Sequence, residues 1–251
     1  MSQENKEYID GIFNYCDRWC EKCKFTANCF LFTQESKIKT HEILHNGDMS
    51  NIEEVFDKEF DNLKNEDDEE GYEDFMDEDF FDSINDEDDE FIKHEEEKEP
   101  EHPVNDLIDK YFLKSHSLIE SIDTKFRFLS ESKENHKSSI VEKVFDDFEI
   151  LMWYHTLIGA KMKRALHGLD EVSKEDDEEI REIHEDDMNG SAKVGIISVK
   201  RSISALENLH DTLPEFSDEI EETLILLGKI LNYSDELFPN CMEFKRPGFD
   251  D

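Results

Sequence analysis

Basic residues, glycine and long apolar runs are all scarce in this chain of 251 residues. It carries 28 Lys and Arg against 67 Asp and Glu, a formal charge of −39. A surface this negative repels phosphate backbones and anionic lipid faces, so we expect no binding to nucleic acid or to membranes. The longest nearly apolar run, 150–160, is also far shorter than the roughly 20 residues that cross a bilayer.

Only nine glycines are present, and none belongs to a G-x-G-x-x-G, G-x-x-x-x-G-K-[ST] or G-x-S-x-G motif. These motifs supply phosphate-binding loops and the nucleophile turn of serine hydrolases. We therefore expect neither class, and we extend the same expectation to zincin-type metalloproteases. The N-terminus MSQENKEY lacks the basic and apolar stretches of a signal peptide, so we expect a cytoplasmic protein.

The negative charge is concentrated between residues 51 and 101, where 26 acidic residues stand against 4 basic ones. Acidic runs such as 66–70 and 86–90 repel themselves, and no apolar period of a helix or strand lasts there. The sequence therefore predicts an acidic, largely disordered insertion over 51–102. The composition favours a purely solubilising insertion. Transient docking of the interleaved aromatic residues on a basic protein partner is the alternative.

Four amphipathic stripes follow the acidic segment, each with apolar residues three or four positions apart. They cover residues 104–129, 141–169, 192–209 and 216–237. Thr212-Leu-Pro-Glu215 reads as a capping box that starts the last helix. Because no convincing alternating strands occur, the pattern predicts an all-α fold. We expect a four-helix up-down bundle over 103–240, with a C-terminal tail, 241–251, packed on it.

The third stripe has two features of its own. We expect it to extend backwards through Ile180 and Ile183, with an interruption at Asn189-Gly190 as an open alternative. Small residues at 190–192 and at Gly195 favour the close approach of another element. The candidates for that element are the helix that bears His155 and the N-terminal cysteine segment.

The N-terminal segment, residues 1–50, contains four of the five cysteines. Cys16, Cys20, Cys23 and Cys29 have the spacing C-x3-C-x2-C-x5-C and fall within 14 residues. In a reducing compartment, thiols this dense indicate a set of metal ligands rather than a disulfide framework. On a helix the first three share one narrow arc, and a turn brings the fourth back to them. Cys241 stands alone and is expected to be a small buried side chain.

The length of this motif bears on the choice of metal. A straight helix separates Cys16 from Cys23 by ~10 Å along its axis, whereas two thiolates on one zinc ion lie only about 3.8 Å apart. A [4Fe-4S] cluster carries its thiolates farther apart and requires less bending. We therefore predict an iron–sulfur protein for electron transfer or redox sensing. A zinc-stapled adaptor, with Zn²⁺ as its metal, is the alternative.

A ferritin-like diiron oxidase is a third hypothesis, because such bundles use Glu-x-x-His pairs on facing helices. The chain contains two pairs with this spacing, Glu42-Ile-Leu-His45 and Glu207-Asn-Leu-His210. His155 is expected to face inward, where a histidine is most often a hydrogen-bonded core residue. None of these patterns assigns a reaction.

Three stretches of the chain together resemble a family of uncharacterised bacterial proteins. They are Tyr-Cys-Asp-Arg-Trp-Cys-Glu-Lys-Cys-x-Phe-Thr-x-x-Cys from residue 15, Asn-Gly-Ser-Ala-Lys-Val over 189–194, and the ending Phe238-Pro-Asn with Phe244 and Arg246-Pro-Gly-Phe-Asp250. That family has an N-terminal four-cysteine motif and a C-terminal Arg-Pro-Gly-Phe tail. The resemblance implies a shared plan for these stretches, with the acidic segment as a local elaboration, and it implies no activity.

Deleting residues 66–99 is expected to leave the helices folded, because this part of the chain has no periodic apolar face to contribute to a core. Thermal unfolding followed by circular dichroism measures the effect. A loss of 1 kcal/mol lowers the thermal unfolding midpoint of a domain this large by roughly 2–4 °C. A fall of more than about 10 °C would therefore show that the segment contributes to the folded core.

Overall fold

The structure, a computed structural model, describes residues 8–47, 102–131 and 135–250. Within these ranges the α-helices are α1 Phe30–Leu44, α2 Pro103–Glu131, α3 Asn135–Lys174, α4 Glu178–Thr212 and α5 Ser217–Leu237. Short 3₁₀ turns occur at Cys20–Lys22, Thr26–Asn28, Pro214–Phe216 and Cys241–Glu243. The described residues form no strand, so the predicted all-α class is confirmed. The predicted acidic insertion, apart from His102, lies outside the described residues.

The chain divides into two compact units, which we describe separately. The helical unit consists of residues 9–23 together with the described residues from 102 to 250. The α1 unit consists of Tyr8 and residues 24–47. Among the described residues, no helix has both the length and the apolar content that a membrane crossing requires.

In the helical unit each of the helices α2 to α4 packs on the next along the chain, and α5 also packs on α2. The core between them is apolar, and its largest fully buried side chains on these helices are Ile108, Tyr111, Leu118, Ile122, Leu151, Tyr154, Ile158, Met162, Ile196 and Leu206. Almost all belong to the predicted stripes, because residues three or four apart line one face of a helix. Removing this surface from water is the main force that orders the four helices.

Helix α2 illustrates how the sequence sets both the start of a helix and its buried face. Pro103 is its first residue, a position where the missing N–H of proline has no intrahelical partner to lose. Val104, Ile108 and Tyr111 then recur at spacings of four and three, and each is at most 1% exposed. The same face continues along the helix to Leu129.

The start of helix α4 agrees with the prediction, and the start of α5 does not. Helix α4 does extend back to Glu178 and runs without a break through Gly190, but Ile180 and Ile183 on its first turns are 45% and 68% exposed. The capping box predicted at Thr212 does not form, since this residue is the last of α4 and α5 begins only at Ser217.

Helix α5 starts late because of the residue that precedes Pro214. A residue before proline is disfavoured in the helical region of backbone angles, because it clashes with the proline ring. Leu213 precedes Pro214, has φ −122° and ψ 66°, and buries its side chain completely. Helix α4 therefore ends there, and the 3₁₀ turn Pro214–Phe216 comes between the two helices.

Helices α3 and α4 approach each other closely at Gly195. A Cβ atom at this position would collide with Met162 Sδ and would lie 3.3 Å from its Cγ. Met162 is itself fully buried, so its side chain has little space into which it can move. The predicted close approach to the helix that bears His155 is therefore present at this residue.

Gly195→Leu is expected to destabilise the protein by about 1–3 kcal/mol, because it overpacks the contact with Met162. The matched control is Gly228→Ala, since a Cβ there would meet nothing within 4 Å. This control is expected to stabilise helix α5 by about 0.5–1 kcal/mol. Denaturant unfolding measures both changes, and a Gly195→Leu protein as stable as the parent would contradict the packing described here.

Candidate functional site

The cysteine segment, residues 9–23, is a turn-rich loop of the helical unit. Cys20–Lys22 forms a 3₁₀ turn, and Cys23 after it is extended. Arg18 has φ 57°, in the left-handed region that non-glycine residues seldom adopt, and this reversal prevents a continuous helix. The prediction that the first three cysteines share one helical arc is therefore wrong.

Asp17 attaches this loop to helices α3 and α4. Its carboxylate accepts hydrogen bonds from the Tyr154 hydroxyl at 2.8 Å and from Arg201 Nη1 at 3.1 Å. Its other carboxylate oxygen accepts from the backbone N–H of Trp19 at 3.2 Å. The carbonyl oxygen of Asp17 accepts from Trp153 Nε1 at 2.8 Å. Four donors thus converge on one residue and hold the unusual backbone that follows it.

Tyr154 is the buried member of this network. Burial, together with the neighbouring Asp17 carboxylate, raises the pKa of its phenol to about 12, although the Arg201 guanidinium acts in the opposite direction. Arg201 also donates to the Tyr154 hydroxyl. At neutral pH the phenol therefore keeps its proton and serves as a donor to Asp17.

Aromatic stacking adds a second attachment next to Asp17. The indole rings of Trp19 and Trp153 are stacked, with centroids 5.3 Å apart and planes 13° apart. Lys22 Nζ lies 4.3 Å from the centre of the Trp19 ring and forms an ion pair of 2.8 Å with Glu149. The loop therefore carries a large apolar contact and a cation above it.

The other end of the loop packs against α4 and the C-terminal tail. The Tyr15 ring meets Phe244 edge to face, with centroids 4.7 Å apart. A Cβ at Gly190 would collide with the Tyr15 ring, so only glycine fits there without movement. Lys193 Nζ, which is almost fully buried, donates to the Phe244 carbonyl at 2.6 Å and pairs with Asp250 at 2.8 Å. The loop, residues 189–194 and the tail therefore pack together.

Two of the predicted metal ligands accept hydrogen bonds from the backbone. The N–H of Arg18 donates to Cys16 Sγ at 3.4 Å, and the thiol of Cys16 lies 3.5 Å from the Phe13 carbonyl. Cys29 is the N-cap of α1, and its sulfur accepts from the Phe32 N–H at 3.4 Å. None of the five cysteines, all of which are described, forms a disulfide.

Burial and nearby cations act in opposite directions on Cys16. Burial raises the pKa of its thiol, while the Arg18 N–H and the charges of Arg18 and Lys161 act to lower it. Lys161 donates to the Asn14 carbonyl at 3.0 Å, and burial lowers the pKa of its amine. The thiol therefore holds its proton more tightly than usual in the absence of a metal ion.

The donor chemistry of the motif fits a metal that prefers thiolates. Cys16, Cys20 and Cys23 belong to the helical unit, and Cys29 belongs to the α1 unit. Across the described side chains, no group of three or more His, Cys, Asp or Glu is placed to hold a metal ion.

Cys241 lies in the core of the helical unit and is 1% exposed, so the prediction of a small buried side chain is confirmed. Burial also raises the pKa of its thiol. The thiol is thus protonated and removed from solvent, and we assign it a packing role.

The other predicted candidates do not form a carboxylate–histidine centre. His155 does not face inward: it is only partly buried, its Nδ1 lies 2.6 Å from the Met152 carbonyl, and its ring stacks with that of His116. Glu207 is exposed, and His210 lies 3.4 Å from Glu221. No Asp or Glu is among the buried residues of the described part of the chain. This geometry gives the diiron hypothesis no support.

One pattern was missed by the reasoning from sequence. Residues 41–45 of α1 and its C-cap read His-Glu-Ile-Leu-His, which is the H-E-x-x-H spacing. The expectation that the chain has no zincin-type motif was therefore wrong. The signal is visible in the sequence, but we had used only Glu42 and His45 of it, as a Glu-x-x-His pair.

Comparison of the chain with protein-family models, with curated proteins and with solved structures found no match. The function proposed below therefore depends on the residues of this chain and on their geometry.

Asp17→Asn is expected to destabilise the helical unit by about 1–3 kcal/mol, because the buried Tyr154 hydroxyl and the Arg201 guanidinium lose a charged acceptor. It should also lower the pKa of Tyr154, which the Asp17 carboxylate helps to raise. The control is Asp123→Asn, which removes an exposed pair with Arg127 on α2 and is expected to cost less than about 1 kcal/mol. Equal losses of unfolding free energy in the two variants would contradict the stabilising role that we assign to Asp17.

Proposed function

We propose that this chain is a metal-binding helical protein in which Cys16, Cys20, Cys23 and Cys29 hold a [4Fe-4S] cluster for electron transfer or redox sensing. The observation that carries the proposal is that the sulfurs of Cys16 and Cys29 already accept backbone N–H groups. Hydrogen bonds to sulfur stabilise metal-bound thiolates and tune the potential of a cluster.

The charges around the loop support the same proposal. Arg18 and Lys161 lie near the sulfur of Cys16, and Lys22 directly precedes Cys23. Four thiolates bring several negative charges into a chain that is already strongly acidic. Nearby cations offset that charge, because an opposite charge favours the ionised form of a thiol.

In this proposal, α2 to α5 form a four-helix up-down bundle that serves as a rigid scaffold. The contacts of Asp17 and Trp19 with α3 and α4 would keep the cysteine segment in one position on it. The acidic insertion over 51–102 would attract a basic protein partner by long-range electrostatics. The resemblance to the four-cysteine family remains a prediction alongside this scheme.

A zinc-stapled adaptor is the second candidate, and one observation favours it. The argument against zinc required Cys16 and Cys23 to lie on one straight helix. Instead, Cys20 and Cys23 lie at the two ends of a turn that is closed by a 3.2 Å bond from the Cys23 N–H to the Cys20 carbonyl. Short turns between cysteines are the usual arrangement in structural zinc sites. The metal itself then distinguishes the two candidates.

Anaerobic purification followed by metal analysis and visible absorption separates these functions. About four irons per chain with a broad visible band support the iron–sulfur proposal. One zinc per chain supports the adaptor. Iron that is retained after all four cysteines are replaced by serine would contradict both, and would revive the diiron hypothesis.

Cys20→Ser is expected to remove the bound metal and to loosen the cysteine segment, because metal binding is coupled to local folding. Cys241→Ser is the matched control and should leave the metal content unchanged, since this thiol is buried in the core. Metal per chain and proteolysis within residues 9–29 are the measurements. Equal metal loss in both variants would rule out the proposed ligand set.

A further inference from the structure

Helix α1 and its C-cap present two histidines one turn apart. His41 and His45 are at positions i and i+4, which face the same side of a helix. Their rings are stacked, with centroids 4.2 Å apart and planes 25° apart. This contact lies within the α1 unit and involves none of the cysteines.

The spacing of these histidines has a known chemical use. In H-E-x-x-H helices the two imidazoles occupy one face and ligate the same Zn²⁺ ion. Imidazole nitrogen is also a good ligand for other divalent transition metals. Residues 41–45 therefore present a bidentate set of nitrogen donors.

An independent observation also points to ligand binding at this position. The Nδ1 atom of His41 is buried and has no hydrogen-bond partner in the structure. Buried polar atoms without partners are rare, because each costs free energy when it leaves water. A metal ion bound to this nitrogen in the plane of the ring would give the imidazole of His41 the polar interaction that the protein does not supply.

A pocket next to the two histidines has space for such an ion and for further ligands. An open pocket of about 600 Å³ runs between the Thr26–Asn28 turn and one face of α1. It is lined by both histidines, by the apolar side chains of Ala27, Phe32 and Leu44, and by Thr26, Thr33, Ser36, Lys37 and Thr40. Pockets of this size accommodate small molecules.

We infer that His41 and His45 form a binding site for a divalent transition-metal ion of the Zn²⁺ class, with coordination positions left open toward the pocket. The site is separate from the proposed cysteine centre. It is a binding site rather than a hydrolytic centre, because Glu42 is exposed and is not among the residues that line the pocket. In addition, no third His, Cys, Asp or Glu joins the pair among the described residues.

The test uses the full chain with isotope-labelled histidine, and Zn²⁺ as the probe. Addition of Zn²⁺ is expected to shift the ring resonances of His41 and His45 and to leave those of His167, a surface histidine on α3, unchanged. Because NMR reports each ring separately, zinc taken up by cysteines does not obscure the result. Rings of His41 and His45 that do not shift, or that shift no more than His167, would overturn the inference.

Variants separate this site from the cysteine motif. In a chain with Cys16, Cys20, Cys23 and Cys29 all replaced by serine, one equivalent of Zn²⁺ should still bind. Adding His45→Ala should abolish that equivalent, whereas adding His167→Ala should retain it. If the four-serine chain does not fold, the same His45→Ala change in the unmodified chain should abolish the shift of the His41 ring, and persistence of that shift would contradict the pairing.

The outcome is independent of the iron–sulfur proposal. Cys20→Ser should remove metal from the cysteine motif without changing the response of the His41 ring to Zn²⁺. If Cys20→Ser abolished that response, the shift of the His41 ring would reflect zinc binding at the cysteines, and the separate site would be rejected.

Discussion

The carboxylate of Asp17 is the interaction on which the arrangement of the helical unit around the cysteine segment depends. It collects donors from a tyrosine of α3, an arginine of α4 and a backbone N–H of its own loop. These bonds offset the cost of the left-handed residue Arg18 directly after it, which is of the order of 1–3 kcal/mol for such strain. Without these hydrogen bonds nothing would stabilise the turn at Arg18, and Cys16 and Cys20 would not keep their positions.

A second constraint is the presence of glycine on α4 where other elements pack closely against this helix. Gly190 makes space for the Tyr15 ring, and Gly195 makes space for Met162. Between them, Lys193 extends to the tail, where Asp250 and carbonyl oxygens receive its charge. The small residues of α4 thus contact the cysteine segment at Gly190 and helix α3 at Gly195. This explains why Tyr15, residues 189–194 and the C-terminal tail contact one another within the helical unit.

The loop also changes the chemical argument about the metal. On a helix, the distance between sulfurs would select for a large cluster, but a turn with a left-handed residue allows shorter separations. Burial of Cys16 favours its protonated thiol, so a metal ion must displace that proton as it binds. The adjacent cations and the N–H group on sulfur reduce this cost.

The sequence by itself determined the class and the core. Apolar residues at helical spacing must share a face, so the buried stripes of α2 to α5 could be predicted from their period alone. The H-E-x-x-H spacing of α1 was equally readable and was overlooked. The tertiary structure decided features that the spacing of apolar residues cannot encode, namely the turn of the cysteine segment and the exposure of His155 and Ile183. These features depend on contacts between residues far apart in the chain, such as Asp17 with Tyr154 and Arg201, and no local pattern records such a contact.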